Sequence, residues 1–247
     1  PPNAFAPSDV ATIQPPTNDA DRWQYPTLAK PESDSFYSYH IQRRISAWFS
    51  VRLAGRMGAN AATGLDLIFG VAAAVLVLLD HWLWGVVMIQ LFGIFSCVDG
   101  EIARIQGRSS RIGDFLDTLT DRVVELLLVG AIVFSLGTRV DPASALAAGL
   151  CLLGAVFVLT TSSEKFRSTY QMGYPKRRLE RFFGLFCSGS DPRLLMLSIG
   201  LVVSDLTGDG LFLLWLLWAL AAAACVNFLV RIGLVYRHFR AGDPTKS

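Results

Sequence analysis

The chain has 247 residues, of which 52% are hydrophobic and only 17% are charged. A soluble domain carries about 25% charged residues, so the composition argues against a soluble enzyme and indicates an integral membrane protein. The mean hydropathy of +0.43 agrees with that interpretation. The net charge of +2 is too small to indicate nucleic-acid binding, and we expect no nucleic-acid partner.

Residues 1–35 form a proline-rich segment that cannot build a packed core. No apolar stretch of the kind found in a signal peptide opens it. The composition is typical of a linker or an extended arm. Its prolines are Pro1, Pro2, Pro7, Pro15, Pro16, Pro26 and Pro31.

Residues 36–57 have the pattern of an amphipathic juxtamembrane helix. Apolar residues recur at helical spacing, and arginines fill the positions between them. We expect this helix to lie in the membrane interface with its basic side toward anionic headgroups. The alternative, a soluble helix packed on a domain, lacks a soluble domain to pack on. The apolar residues are Ile41, Ile45, Trp48, Phe49 and Leu53, and the basic ones are Arg43, Arg44, Arg52 and Arg56.

Six apolar stretches follow, and each is a candidate transmembrane helix. The fifth is short for a crossing of about 20 residues. The sequence therefore predicts an all-α integral membrane protein, in which residues 58–240 form a six-helix domain and residues 241–247 a tail. The stretches are about residues 61–79, 82–98, 116–136, 144–161, 194–206 and 211–234.

The distribution of Lys and Arg predicts the orientation. The amphipathic helix, the segment 104–111, the loop 165–193 and the tail are basic, whereas the alternate loops contain only Arg139. By the positive-inside rule, both termini and the segment 104–111 lie on the cytoplasmic side of the cell membrane.

Acidic residues beside the second and third apolar stretches form the main candidate site. Ser96 and Asp99 are three residues apart, and Asp117 and Asp121 are four apart, so each pair shares one helical face. An unpaired carboxylate in an apolar setting is costly, so such residues indicate function. Two such faces turned toward each other would offer the oxygen ligands that Mg²⁺ or Mn²⁺ prefers.

The same segment resembles the signature of the CDP-alcohol phosphotransferase family. That signature reads D-x-x-D-G-x-x-A-R, then eight residues, then G-x-x-x-D-x-x-x-D. Seven of its eight positions match in this chain, and Ser96 replaces the first aspartate. A serine can offer a neutral hydroxyl, but it lacks the negative charge. The matching residues are Asp99, Gly100, Ala103, Arg104, Gly113, Asp117 and Asp121.

The resemblance implies roles for these residues. Asp99, Asp117 and Asp121 would hold Mg²⁺ or Mn²⁺ with Ser96, and Asp121 would also be the general base. A nucleotide pocket would be lined by Gly100, Ala103, Arg104 and Gly113. Asn60 and Thr63 match part of a T-P-N-x-V-T segment of the family, although Asn60 has an equally good alternative as a helix cap.

The implied activity is transfer of a phospho-alcohol group from a CDP-linked donor to an acceptor hydroxyl, with release of CMP. The wording Asp-Gly-Glu-Ile-Ala-Arg looks most similar to relatives that join CDP-inositol to inositol phosphate. The other branch uses CDP-diacylglycerol. The implied partners are the donor, a phosphorylated polyol or lipid acceptor, membrane lipids and a second copy of the chain. Lys30 and Pro31 resemble the junction to an upstream cytidylyltransferase domain in some relatives.

A basic segment near the fourth and fifth stretches is the candidate site for an acceptor phosphate. Lys165, Arg167 and Arg193 leave or enter apolar stretches there, where cations suit a phosphate or a headgroup. Further basic residues, at 176–178 and 181, have the simpler explanation that cytoplasmic loops are rich in positive charge.

Two alternatives to an active transferase follow from the same residues. Because Ser96 removes a charge, the chain could bind nucleotide or lipid without turnover. Intramembrane carboxylates also suit a transporter, although a transporter would not require Gly100, Arg104 and Gly113 at this spacing. Asp66 is one more carboxylate in an apolar stretch, and the sequence assigns it no role.

Overall fold

Seven α-helices, and no strand, make up the part of the chain described by the computed structural model. Described are residues 28, 34–108, 111–170, 174, 180, 182–183 and 189–239. Most of the predicted arm, the basic residues 176–178 and 181, and the tail lie outside this range. The helices are α1 (Arg43–Leu53, directly preceded by a π-helical turn, Ser38–Gln42), α2 (Ala59–Leu78), α3 (Trp82–Ile105), α4 (Arg111–Leu136), α5 (Pro142–Tyr170), α6 (Ser190–Thr207) and α7 (Leu211–Phe239).

Each predicted apolar stretch coincides with one of the helices α2 to α7. Within the described ranges, four of them, α2, α3, α5 and α7, are long and apolar enough to cross a membrane. Helix α4 begins with several charged residues, and α6 has 18 residues, which corresponds to about 27 Å. The prediction of an all-helical membrane protein is thus supported by four candidate spans.

Large apolar side chains on the outer surface of the bundle fit a lipid environment. Trp84, Phe134, Phe157, Leu206 and Trp215 each expose more than 60% of their surface. A water-soluble protein rarely leaves so many large apolar groups uncovered, whereas lipid tails are as apolar as these side chains. The surface therefore agrees with the composition.

Helices α2 and α3 form a closely packed antiparallel pair, joined by a tight turn in which Asp80 has a φ of 60°. A Cβ on Gly85 would lie 2.7 Å from Cγ2 of Val77, so only glycine permits this approach. The rings of Phe69 and Phe95 meet further along the same interface, with centroids 5.0 Å apart. This packing fixes which residues of the two helices face each other.

Helix α3 ends at a glycine placed just after the signature's arginine. Gly107 has a φ of 63°, a left-handed conformation that glycine adopts without strain. The Gly107 amide donates to the carbonyl of Arg104, and the Arg108 amide donates to that of Ala103. Such bonds are typical of a Schellman cap. The chain thereby leaves α3 and begins α4 only a few residues later, with half of the signature on each helix.

The helix predicted for residues 36–57 is present, but one predicted contact is wrong. Arg43 does not face headgroups, because it is only 7% exposed and lies against α3. The inward face of this segment combines buried polar residues with Phe49 and Leu53, which pack on α3, whereas Ile41, Ile45 and Trp48 are exposed. Arg43 faces α3 because the buried carboxylate of Glu101 requires a cation nearby, and Arg43 on α1 supplies it.

Candidate active site

The site begins with Asp99, which lies near the end of α3 and is 5% exposed. Thr63 on α2 donates from Oγ1 to Oδ2 of Asp99 at 2.8 Å. The amide of Gly100 donates to the other carboxylate oxygen at 2.5 Å. These two bonds hold the carboxylate in one orientation, and they connect α2 to the signature.

Asp121 on α4 lies between α3 and the beginning of α6. The Ser96 hydroxyl is 3.5 Å from Oδ1 of Asp121, and the Ser190 hydroxyl is 3.4 Å from Oδ2. Both contacts are long, so neither hydroxyl holds the carboxylate tightly. Asp117, one turn earlier on α4, repels Asp121 electrostatically. Asp121 therefore has two neutral donors and an acidic neighbour.

A fourth carboxylate, that of Asp66 on α2, joins this group. Its strongest charge interactions are with Asp121, Asp99 and Asp117, and all three are repulsive. Asp66 is 1% exposed, and its Oδ1 has no hydrogen-bond partner within the described residues. Sequence analysis had assigned no role to this residue.

The donor set fits a divalent cation in its chemistry. Carboxylate oxygens are the ligands that Mg²⁺ and Mn²⁺ prefer, and buried carboxylates that repel one another are stabilised when a cation lies among them. Within the ranges that the structure describes, no three acidic, histidine or cysteine side chains already converge to ligand distance. The side chains would therefore have to close around an ion.

Arg104 folds back over the glycine of the signature. A Cβ on Gly100 would be 3.4 Å from Nη1 of Arg104, an ordinary van der Waals distance, so the guanidinium lies directly beside Gly100. Nη2 of Arg104 donates to the carbonyl of Leu28 at 2.9 Å, and Leu28 is 1% exposed. A residue of the predicted arm thus packs at the site, which its proline-rich composition did not predict.

The other residues predicted to contact a nucleotide lie around the same helix ends. Ala103 is half-buried on α3, and Gly113 lies in the first turn of α4. Asn60 is exposed on α2. The capping role considered for it is wrong, because Gly58 occupies the cap position and α2 begins at Ala59. Thr63 is already engaged by Asp99.

The three predicted phosphate-binding cations have different surroundings. Arg193 on α6 is 2% exposed, and its Nε donates to Oε1 of Glu125 at 2.7 Å. Because Glu125 follows Asp121 by one turn, this ion pair adjoins the carboxylate group. Arg167 forms an exposed ion pair with Asp114 in the first turn of α4, and Lys165 is exposed nearby on α5.

A buried ion network behind the signature was missed by sequence analysis. Glu101 is 0% exposed and accepts hydrogen bonds from Arg43 at 3.0 Å, Ser46 at 2.8 Å and Ser50 at 2.6 Å. Arg43 also forms a bidentate pair with Asp34 at 3.0 and 3.1 Å. Glu101 follows Gly100 directly, so this network fixes α1 and the segment before it to the signature.

A second polar chain connects the segment before α1 to α3 and α6. Tyr37 donates to Oε1 of Gln90 at 2.6 Å, and Nε2 of Gln90 donates to Ser198 at 2.8 Å. Burial, followed by the negative charge of Asp191, raises the pKa of the Tyr37 hydroxyl above its usual range. The hydroxyl therefore stays protonated and remains a donor at neutral pH.

Comparison with known proteins identifies the family. Residues 56–226 match the model of the CDP-alcohol phosphatidyltransferase family. The chain belongs to this family. The resemblance predicted from the signature is thereby confirmed, and the matched range includes every signature position on α3 and α4.

The similar proteins within the CDP-alcohol phosphatidyltransferase family fall into two groups, phosphatidylinositol phosphate synthases and bifunctional IPC transferase and DIPP synthases. The phosphatidylinositol phosphate synthase of Corynebacterium glutamicum is 32% identical over 178 residues, which cover 71% of this chain and 75% of that protein. The bifunctional IPC transferase and DIPP synthase of Thermococcus kodakarensis is 33% identical over 144 residues, 58% of this chain. The chain spans about a third of the length of the bifunctional relatives, as the matches in Thermococcus and Aquifex aeolicus cover 32% and 34% of those proteins.

A solved structure from this family has the same fold. The phosphatidylinositol phosphate synthase of Mycobacterium tuberculosis with CDP-DAG bound superposes with a TM-score of 0.62 at 22% identity. The match covers 78% of this chain and 94% of that one. The same synthase has also been solved in complex with manganese and citrate.

Proposed function

We propose that the protein is a metal-dependent phosphotransferase of the membrane surface. It moves a phospho-alcohol group from a CDP-linked donor to an acceptor hydroxyl and releases CMP. The observation that carries the proposal is the meeting of both halves of the signature, where the Ser96 hydroxyl on α3 lies 3.5 Å from Oδ1 of Asp121 on α4. Arg104 and Gly100 lie beside this group, where an anionic nucleotide would need a cation and space.

The carboxylates have separate roles in this proposal. Asp99, Asp117 and Asp121 hold Mg²⁺ or Mn²⁺, with Ser96 as a neutral ligand. A bound divalent ion neutralises charge on the pyrophosphate and on the departing CMP. Asp99 is kept in place by Thr63, and Asp121 has more freedom because its two hydroxyl contacts are long.

Asp121 is the general base. Its carboxylate takes the proton of the acceptor hydroxyl while the acceptor oxygen bonds to the phosphorus of the phospho-alcohol group. The bond from that phosphorus to the CMP oxygen breaks, and CMP leaves with the electron pair. Because the contacts from Ser96 and Ser190 are both long, an incoming hydroxyl can displace either serine from Asp121.

Substrate binding is assigned to the residues around this group. Gly100, Ala103, Arg104 and Gly113 line the pocket for cytidine and phosphate, with Asn60 and Thr63 at its edge. An acceptor phosphate is held by Lys165, Arg167 and Arg193. The pairing of Arg193 with Glu125 supports a second contribution, in which Arg193 keeps α6 close to Asp121.

The names of the relatives support two donors. The similarity to phosphatidylinositol phosphate synthases supports CDP-diacylglycerol as the donor and inositol phosphate as the acceptor, a reaction of phospholipid biosynthesis. The similarity to DIPP synthases supports a donor of the CDP-inositol type. A site at the membrane surface suits both, because a lipid can enter from the side and a soluble nucleotide from the cytoplasm.

The number of membrane spans, their orientation, the domain bounds and the oligomeric state belong to the same proposal. Helices α2 to α7 all cross the cell membrane, and the termini and the site lie on the cytoplasmic side. Residues 58–240 form the phosphotransferase domain, preceded by the arm at 1–35 and the juxtamembrane helix at 36–57, and the protein acts as a homodimer.

The direct test is CMP release by the purified protein in detergent or nanodiscs. CDP-diacylglycerol and CDP-inositol are each supplied with inositol phosphate and other acceptors, with Mg²⁺, with Mn²⁺ or with chelator. We expect release with at least one pair, and none in chelator. Release that persists in chelator, or silence with every pair, would contradict the proposal.

Ser96 provides the specific observation for a second candidate function. A hydroxyl at a 3.5 Å contact replaces a charged ligand, so a protein that binds nucleotide or lipid without turnover is the alternative. The Ser96→Asp variant distinguishes the two. Activity in the native chain supports the transferase, whereas activity only after Ser96→Asp supports the silent binder.

The bond from Thr63 to Asp99 gives a further prediction. Thr63→Val keeps the shape of the side chain but removes a hydrogen bond to a charged group, worth about 1.5–3 kcal/mol. We expect kcat/KM for CMP release to fall about tenfold or more. Thr207→Val, at the exposed far end of α6, is the matched control and should match the native rate. Equal rates for Thr63→Val and Thr207→Val would show that the hydrogen bond from Thr63 to Asp99 does not contribute to activity.

A further inference from the structure

Asp66 is a buried acid that the signature does not include. It lies on α2, is 1% exposed, and its Oδ1 has no hydrogen-bond partner in the described part of the chain. A buried carboxylate without compensation is costly, and evolution retains such a group where a ligand compensates for it. Asp66 therefore requires an explanation that packing does not provide.

The register of α2 and α3 places Asp66 opposite the position where the signature departs. Thr63 and Asp99 are hydrogen-bonded across the antiparallel pair. Moving three residues deeper from each of them leads to Asp66 on α2 and to Ser96 on α3, both on the same faces as before. The approach of Val77 to Gly85 further along fits the same register.

The charges agree with this placement. The charged side chains that interact electrostatically with the buried Asp66 carboxylate are Asp121, Asp99 and Asp117, the three acids that the signature retains. Ser96, which occupies the fourth signature position, is close enough to Asp121 for a long hydrogen bond. Asp66 and Ser96 thus border the same group from facing helices.

We infer that Asp66 is a ligand of the divalent cation and supplies, from α2, the carboxylate that the signature lacks at position 96. This inference rests on the proposed function, because it assumes that the signature acids bind Mg²⁺ or Mn²⁺. With Asp66 the site again has four carboxylates. The relocation accounts both for a serine at a ligand position and for the buried Oδ1 of Asp66, which accepts no hydrogen bond within the described ranges.

The test is Mn²⁺ binding to the purified full chain, measured by electron paramagnetic resonance of the free ion. Asp66→Asn should weaken Mn²⁺ binding about tenfold or more. The double variant Asp66→Ser with Ser96→Asp moves the carboxylate back to the signature position, and it should bind Mn²⁺ within about threefold of the native chain. Asp209→Asn, beyond the far end of α6, is the matched control and should bind as the native chain does.

Thermal unfolding in chelator provides a readout that does not depend on activity. Asp66→Asn removes one of four repelling carboxylates, so its Tm without metal should rise by about 3 °C, and the Tm gain on adding Mn²⁺ should shrink. A lower Tm in chelator would mean that Asp66 has a structural partner, and it would overturn the inference.

The Asp121→Asn variant distinguishes a failure of the inference on Asp66 from a failure of the proposed function. If Asp121→Asn loses Mn²⁺ binding while Asp66→Asn binds as tightly as the native chain, the inference on Asp66 fails and the proposed function stands. If the folded native chain neither binds Mn²⁺ nor releases CMP, both fail together.

Discussion

Replacing Asp121 by asparagine will reduce CMP release by about 10²-fold or more while the helices stay folded. Asparagine has nearly the same shape, and its oxygen accepts from one of the hydroxyls of Ser96 and Ser190 while its NH2 donates to the other, but it can neither take a proton nor carry charge. A positioned general base contributes about 10²–10⁴-fold to rate. The measurement is kcat for CMP release at saturating metal and donor, with Tm and elution profile recorded for each variant.

Asp209→Asn is the control for this comparison. It makes the same chemical change at a helix cap, where an asparagine oxygen can still accept the amide of Leu211. Its rate should equal that of the native chain. If Asp121→Asn keeps more than a tenth of the native kcat, Asp121 is not the base, and the assignment of proton transfer must move to another residue.

Truncating Glu101 will destabilise the protein by about 3–5 kcal/mol. Glu101→Ala removes an acceptor shared by Arg43, Ser46 and Ser50, and it leaves the buried guanidinium of Arg43 with the carboxylate of Asp34 but without that of Glu101. The cost has two sources: Arg43 keeps only the part of its charge compensation that Asp34 provides, and the hydroxyls of Ser46 and Ser50 lose this acceptor. Denaturant or thermal unfolding in a fixed detergent measures the change.

Two further variants show whether charge or shape matters at this position. Glu101→Gln has one acceptor oxygen, so it keeps only one of the hydrogen bonds from Ser46 and Ser50 and loses the charge, but it still fills the site. Its loss of stability should therefore be smaller than that of Glu101→Ala. Glu164→Ala, at an exposed position on α5, should change stability by less than about 0.5 kcal/mol. If Glu101→Ala is as stable as Glu164→Ala, the network does not hold α1 to α3.

The helices and the signature were predictable because their signals are local. Apolar stretches of about 20 residues indicate helices in any context, and every predicted stretch lies on a helix of the bundle. The three- and four-residue spacings of the signature determine which side chains share a face. The resemblance to the family depends on that spacing, and the signature was recognisable although Ser96 replaces its first aspartate.

The contacts between distant segments were not predictable. Arg43 and Glu101 are 58 residues apart, so no periodicity connects them, and the basic pattern of α1 suggested headgroups instead. Asp66 became interpretable only when the register of α2 against α3 was known. The hydrogen bond from Arg104 to the carbonyl of the buried Leu28 likewise joins distant segments, and the proline-rich composition around Leu28 could not reveal it.

Metal-dependent binding of CDP tests the central claim most directly, because it requires the carboxylates and the nucleotide pocket at once. Isothermal titration calorimetry would compare CDP binding to the native chain with Mg²⁺, with Mn²⁺ and in chelator. The account predicts binding with either metal that weakens at least tenfold in chelator and in Asp121→Asn. CDP binding of equal strength in chelator, or no CDP binding to the folded chain under any condition, would contradict it.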